Sequence, residues 1–243
     1  MRLIIKLTST IDMPYENVNN VQIQGLIYNL LDQTIYQYKH DVKGFKFFTF
    51  SNLFPVSDFK KGESKTLIIT SPDKHFIQTI YQKLKKTDYI RLGSKPFRMK
   101  HVKIHKKWKH IHAFQTATPT VLYEDNELGR YFSFKQKGYN FKWFFDRLKE
   151  NALKKYNIFY TDEYELEGDL FNSYHFRKEV AHRIKFHQES NFLVIGSQWR
   201  QLEVNPDVDN KFYKFLIDTG LGEKNSLGYG CLNNCETKNI TGV

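Results

Sequence analysis

Ser64-Lys65-Thr66-Leu67-Ile68-Ile69-Thr70-Ser71-Pro72-Asp73-Lys74-His75-Phe76-Ile77-Gln78-Thr79-Ile80-Tyr81 changes its hydrophobic period part-way along. Its first seven residues are rich in β-branched and apolar types, as a strand requires. Ser71, Pro72 and Asp73 then form a helix-opening signal ahead of apolar positions at Phe76, Ile77, Ile80 and Leu84. A strand runs into a capped helix. Upstream, residues 2 to 8 alternate loosely as a strand, and Ile23, Leu26, Ile27, Leu30 and Leu31 have helical spacing. Gly44 breaks the chain before an aromatic-rich strand, Phe45 to Phe50, and Phe97 to Lys106 alternates as a fourth strand. The order β-α-β-β-α-β is the ferredoxin-like split βαβ arrangement, also the scaffold of the RNA-recognition motif.

The second half varies the same theme. Ile111 to Tyr123 supplies a strand region, and Phe141 to Tyr156 a helix with Phe141, Phe144, Phe145, Leu148 and Leu153 on its apolar side. Arg177 to His187 and Phe192 to Gln201 read as a hairpin turning through Gln188-Glu189-Ser190-Asn191. Pro206 to Thr219 reads as a helix, and Tyr229 to Leu232 begins a last strand. The simplest sum is an α+β protein of two tandem ferredoxin-like βαββαβ domains, residues 1–106 and 107–243. No linker or close repeat marks the boundary, which rests on counting elements.

Of the 243 residues, 40% are hydrophobic and 26% charged, which excludes disordered and fibrous classes. Lys and Arg number 37 against 26 acids, and the net charge of +11 favours an anionic partner, nucleic acid first. Aromatics make up 16% of the chain, mostly for the core, with a few to spare for stacking on bases. The N-terminal apolar stretch is too short for a signal peptide and no run reaches the ~18 residues of a membrane span, so a cytoplasmic location without a membrane partner is expected. The tail sequon Asn239-Ile240-Thr241 then means nothing. Cys231 and Cys235 alone give no disulfide framework and at most two of the four ligands of a structural zinc. Neither a metal nor a cofactor is expected.

Gly220-Leu221-Gly222-Glu223-Lys224-Asn225-Ser226-Leu227-Gly228-Tyr229-Gly230 is the least ordinary segment, with four glycines around one lysine. It fits neither common nucleotide loop, because its glycines follow a helix and precede a strand. A glycine C-cap explains Gly220. Four glycines fit a loop whose exposed backbone N–H groups let an RNA backbone approach, with Lys224, Asn225 and Ser226 adding donors to phosphates.

This segment resembles the C-terminal glycine-rich signature of the CRISPR-associated endoribonuclease family Cas-six, which processes precursor CRISPR RNA by cutting within its repeats. Gln24-Gly25-Leu26-Ile27-Tyr28-Asn29, followed by Lys39-His40-Asp41-Val42-Lys43-Gly44-Phe45-Lys46-Phe47-Phe48-Thr49-Phe50-Ser51, resembles the same family's N-terminal active-site region. The resemblance covers essentially the whole chain, the middle in pattern only. It implies two ferredoxin-like domains side by side and metal-independent RNA cleavage by the 2′-hydroxyl, leaving 2′,3′-cyclic phosphate and 5′-hydroxyl ends. It also implies roles for three residues. His40 is general acid or base, Tyr28 an orienting hydrogen-bond partner, and Lys46 the stabiliser of charge on the phosphorane.

Those roles set a geometric requirement. One straight helix from Tyr28 to His40 would separate them by roughly 18 Å. The helix must break near residues 32 to 34, where Asp32 and Thr34 are candidate N-caps for a new short helix. Lys46 reads otherwise as a lysine on an edge strand.

Two further stretches are basic. Lys95 to His110 carries Lys95, Arg98, Lys100, Lys103, Lys106, Lys107 and Lys109 with no acid. As a strand it places His101, Lys103, His105 and Lys107 on one face and Val102, Ile104 and Trp108 mostly on the other, either a solvated face or a phosphate-tracking stripe. The hairpin arm offers Arg177, Lys178, Arg183 and Lys185, and in the family a hairpin here helps hold the repeat RNA. The expected partner is CRISPR repeat RNA, with other effector-complex subunits as further partners and a monomeric or homodimeric state. The alternative is a non-catalytic repeat-binding subunit of an effector complex, which would need no imidazole beside a lysine. A metal-dependent nuclease would need clustered carboxylates, and Asp162, Glu163 and Glu165 read only as a solvated loop.

Overall fold

Alternation along Arg2–Ser9 (β1) buries Leu3, Ile5 and Leu7 on one face. Around it, in the computed structural model, form α1 (Asn20–Leu31), β2 (Thr49–Phe50), β3 (Ser64–Thr70), α2 (Lys74–Lys85), β4 (Tyr89–Leu92) and β5 (Lys95–His105). The five strands form one antiparallel sheet in the order β2-β3-β1-β5-β4. Without β4 this is the ferredoxin-like order. Ile23 and Ile27 of α1 with Phe76, Ile77 and Ile80 of α2 close the core against β1 and β3. The period change at Ser71 is where the sequence placed it, and Asp73 caps α2 by accepting a hydrogen bond from the Phe76 N–H. β4 was not foreseen, because four residues give too short a pattern to read.

The structure describes residues 1–41, 43–106, 108, 110–186 and 190–236, without the side chains of 185, 186, 190 and 191. Val42, Lys107, Lys109, the Gln188-Glu189 part of the expected turn, the Asn239-Ile240-Thr241 sequon and the side chain of Lys185 lie outside them. The chain forms two compact units. The first is Met1–Lys107 with Arg183–Phe192 and Asn225–Gly228, and the second is Trp108–His182, Leu193–Lys224 and Tyr229–Val243.

The later elements are β6 (Ala113–Thr116), β7 (Tyr123–Asp125), β8 (Arg130–Tyr131), α3 (Phe141–Tyr160), β9 (Phe171–Phe186), β10 (Ser190–Val204), α4 (Asn210–Thr219) and β11 (Leu232–Cys235). Their four-stranded sheet runs β11-β6-β10-β9, again the ferredoxin-like order, with β7 and β8 as a small added hairpin. Trp199, Phe114, Phe144 and Tyr213 are among its largest buried side chains. The buried residues of α3 are Phe144, Leu148, Ala152, Lys155 and Tyr156, so a lysine stands where the apolar pattern pointed to Leu153. The expected strand region breaks into Ala113–Thr116, single bridges at Thr120 and Val121, and β7 from Tyr123, and α4 starts at Asn210 rather than at Pro206, under an Asp209 cap. Among the described residues no helix is long and apolar enough to cross a membrane.

Candidate active site

α1 opens on a capping box between Asn19 and Gln22 and ends at Leu31, because Asp32 takes an extended ψ of 142° and Gln33 a left-handed φ of 57°. The Thr34 hydroxyl then donates to the Leu31 carbonyl and accepts from the Tyr36 N–H at 3.1 Å, turning the chain into a single 3₁₀ turn, Gln37–His40. Neither Asp32 nor Thr34 caps that turn. Tyr36 holds its N-cap position and makes no side-chain cap bond, so the cap assignment is corrected while the break stands where the geometry required it. The reversal sets the His40 ring 4.8 Å from the Tyr28 ring at an interplanar angle of 89°.

The reversed segment is tied to α2. Tyr36 Oη donates to Asp73 Oδ2 at 2.8 Å, and Lys39 Nζ lies 5.4 Å from the Phe76 ring centroid. Further on, Phe47 adopts a φ of 54° and keeps the chain out of the sheet until Thr49. Lys46 therefore sits in a loop and not on the strand expected from Phe45 to Phe50. A bulky residue in the left-handed region costs about 1–2 kcal/mol, and Ser71 Oγ holds it there by donating to the Phe47 carbonyl at 2.6 Å. Lys46 Nζ donates to the His40 carbonyl at 3.0 Å, which closes the loop between them.

The electrostatics follow from this packing. Burial raises the Tyr28 pKa; a hydrogen bond with the Ser226 side chain pulls it down, and the charge of Asp41 pushes it up. The phenol stays protonated at neutral pH and serves as a donor. Burial lowers the Lys46 pKa, opposed by attraction to Asp41. His40 is 64% exposed at its side chain, and its Nδ1 lies 3.0 Å from Asp41 Oδ1. A carboxylate on Nδ1 fixes the proton there and leaves Nε2 for proton exchange.

Ser226 comes from the glycine-rich segment, within the short turn Asn225–Leu227. Gln24 Nε2 donates to the Ser226 carbonyl and Asn20 Nδ2 to the Leu227 carbonyl, each at 2.8 Å. Asn20, Gln24 and Tyr28 are four residues apart along α1, so one polar stripe of the helix holds this turn. That spacing was visible in the sequence beside the apolar stripe, but nothing local said what it would bind. Gly228 ends the turn at a φ of 82°, and a methyl there would overlap the Phe50 ring.

Residues 100–234, more than half of the chain, match the family model described as "CRISPR associated protein Cas6, C-terminal". A protein of Methanocaldococcus jannaschii named "CRISPR-associated endoribonuclease Cas6 2" is 39% identical over 241 residues, covering 96% of this chain and 99% of that one. The chain belongs to the Cas6 family. Another relative, "CRISPR-associated endoribonuclease Cas6" of Haloferax mediterranei, is 23% identical over 96% of this chain and 93% of its own. A solved structure titled "CRISPR associated protein Cas6" superposes with a TM-score of 0.71 at 24% identity over 97% of this chain and 99% of its own, a likeness of fold.

In this Cas6 chain the four glycines of the signature are buried. Gly220 ends α4, its N–H bonded to the Leu216 carbonyl; the Gly228 N–H goes to Asn225, and the Gly230 N–H to Pro119, each at 2.8 Å. A methyl at Gly222 would run into the Val121 carbonyl. The expectation of exposed backbone donors is not met at Gly220, Gly228 and Gly230, whose N–H groups are spent within the chain, and Gly222 and Gly228 allow close packing. Lys224, Asn225 and Ser226 remain half-exposed, with Lys224 Nζ 5.4 Å from the Tyr123 ring centroid. Lys155, wholly buried, donates to the Gly220 and Gly222 carbonyls at 2.6 and 3.0 Å, and burial lowers its pKa to about 7. On β9, Arg177, Lys178 and Arg183 are exposed; Arg177 and Arg183 share one face of the strand and Lys178 points to the other.

Proposed function

We propose that this protein is an endoribonuclease that cuts precursor CRISPR RNA within its repeats. The observation that carries the reading is the meeting of Tyr28, His40 and Lys46 across a broken helix, a phenol, an imidazole and an ammonium drawn together from two elements and a loop. In the reaction the 2′-oxygen forms a bond to the adjacent phosphorus as the bond from phosphorus to the 5′-oxygen breaks. The 2′-hydroxyl loses its proton and the 5′-oxygen gains one, leaving a 2′,3′-cyclic phosphate and a 5′-hydroxyl. His40, with Nδ1 turned to Asp41, moves one of these protons through Nε2. Tyr28 donates its hydroxyl to orient the reacting group, and Lys46 offsets the charge that builds on the phosphorane. No metal ion takes part in this scheme. Arg177, Lys178, Arg183, Lys185, Lys224, Asn225 and Ser226 supply donors to the rest of the repeat.

The test is incubation with the host's repeat RNA in excess EDTA, beside the same RNA carrying a 2′-deoxy nucleotide at the cut site, and with His40→Ala. Cutting of normal RNA only, lost in the variant without loss of binding, is the expected result. Binding without cutting by the unaltered protein would make it a repeat-holding subunit, and cutting abolished by EDTA would overturn the scheme.

A further inference from the structure

Gly25 stands in the interior of α1, where glycine is less favourable than alanine by about 1 kcal/mol. Gly222 and Gly228 are accounted for by the atoms that lie opposite their missing side chains. Gly25 is not. Its backbone continues a regular helix from Asn20 to Leu31, and a methyl built on it would meet nothing within 4 Å. Neither a turn nor a close packing contact inside the folded chain asks for glycine here.

The position adjoins the chemistry. At about 100° per residue, Gly25 lies about 60° around α1 from Tyr28, on the side away from Asn20 and Gln24. Residues three apart on a helix have Cβ positions about 5–6 Å from each other, so the place of the missing side chain is a neighbour of Tyr28. Asn20 and Gln24 are engaged with the Asn225–Leu227 turn, so the turn borders Tyr28 on the side opposite Gly25. On the Gly25 side the next row of the helix is Val21, Gly25 and Asn29, and the glycine leaves a notch at its middle, between a half-buried valine and an exposed asparagine. The His40 ring lies 4.8 Å from the Tyr28 ring, so a strand held at both has the notch beside it.

A single tolerated glycine is the plain alternative, and it predicts that a side chain here adds stability at no cost in activity. We infer that the notch at Gly25 is a substrate subsite, which receives the sugar–phosphate of a nucleotide adjoining the bond that is cut. The inference rests on the RNA reading above. Without a Cβ the strand lies directly on the helix backbone, the close approach for which glycine is suited. That nucleotide is covalently joined to the reacting phosphate, so a side chain that lifts it also moves the phosphate away from Tyr28 and His40.

The test is Gly25→Ala and Gly25→Leu, both to strong helix formers, followed by thermal unfolding, anisotropy of uncut 2′-deoxy repeat RNA and single-turnover cleavage at saturating RNA. Alanine raises Tm and leucine does not lower it. Affinity for the whole repeat stays within about threefold, because phosphates elsewhere supply most of the binding. The saturated rate falls about 10-fold for alanine and on the order of 100-fold for leucine, the scale of a ~1 Å misplacement at the reacting atoms. A footprint reads the contact itself. In a Cys235→Ser background, with Cys231 buried, bound 2′-deoxy RNA blocks alkylation of Gly25→Cys and leaves Lys60→Cys, an exposed position outside the site, open to the reagent. A folded Gly25→Leu variant that cuts at the unaltered rate overturns the inference. So does slowed cutting without protection of the cysteine, which would place the effect in the helix and not in the path of the RNA. An unaltered protein that neither binds nor cuts the RNA would instead overturn the proposed function.

Discussion

Replacing Gly228 by alanine tests whether the glycine-rich segment acts by packing. The residue sits at a φ of 82°, where an L-residue costs about 1–2 kcal/mol, and its new methyl would overlap the ring of Phe50, itself 1% exposed. Overpacking of a filled core costs about 1–3 kcal/mol. Together these give about 3 kcal/mol, or roughly 6–12 °C in Tm for a chain of this length. The strain has a second outlet. If the Asn225–Leu227 turn shifts to relieve it, Ser226 leaves Tyr28, and the amides of Asn20 and Gln24 lose their carbonyls at about 1 kcal/mol each. Thermal unfolding by circular dichroism, paired with single-turnover cleavage of repeat RNA, reads both outlets. Gly129→Ala is the control, since its φ of 65° carries the backbone cost with open space around the new methyl. A second control removes the obstacle: in a Phe50→Leu background, Gly228→Ala should cost measurably less, because the two positions are coupled. The reasoning is refuted if Gly228→Ala lowers Tm no more than Gly129→Ala does and leaves the cleavage rate within twofold.

Other predictions are simpler. Gly25→Ala places a methyl in open space within α1 and should raise Tm by about 1–4 °C; because Gly25 lies one turn before Tyr28, kcat/KM for repeat RNA should fall as the methyl meets the substrate, and an unchanged or lower Tm would contradict the helix argument. Tyr28→Phe removes the donor and the bond with Ser226, so the saturated cleavage rate should drop on the order of 10- to 100-fold while RNA affinity changes little, and an unchanged rate would remove Tyr28 from the chemistry. Lys155 has a folded pKa of about 7, below its ordinary 10.5, so above pH 7 the unfolded chain binds the extra proton and stability rises with pH until about 10.5. The stability of the unaltered protein relative to Lys155→Met should accordingly grow between pH 7.5 and 9.5 by up to about 1.4 kcal/mol per unit, and a flat difference in denaturant titrations would show the amine staying charged.

The strand-to-helix junction at Ser71 and the hydrophobic spacing of both halves were legible in the sequence because they depend on local chemistry: Asp73 caps its own helix, and β1 buries every second residue. Helix geometry added that the chain breaks between Tyr28 and His40, a requirement set by the roles that the family resemblance implies for them. The identities of Tyr28, His40 and Lys46 came with the family resemblance, and their convergence is a property of the folded chain. The tertiary structure alone decided the rest. Phe47 turns left-handed under the Ser71 hydroxyl, which takes Lys46 off a strand that its aromatic neighbours favour. A lysine replaces an apolar residue on the buried face of α3 because two carbonyls, Gly220 and Gly222, more than sixty residues away, need its protons. Gly222 and Gly228 of the signature follow the same kind of reason: the Val121 carbonyl and Phe50 occupy the space their side chains would take, and no sequence pattern records what lies opposite a missing Cβ. Local propensity follows from neighbours in the chain, whereas close approach follows from neighbours in space, which only the fold supplies.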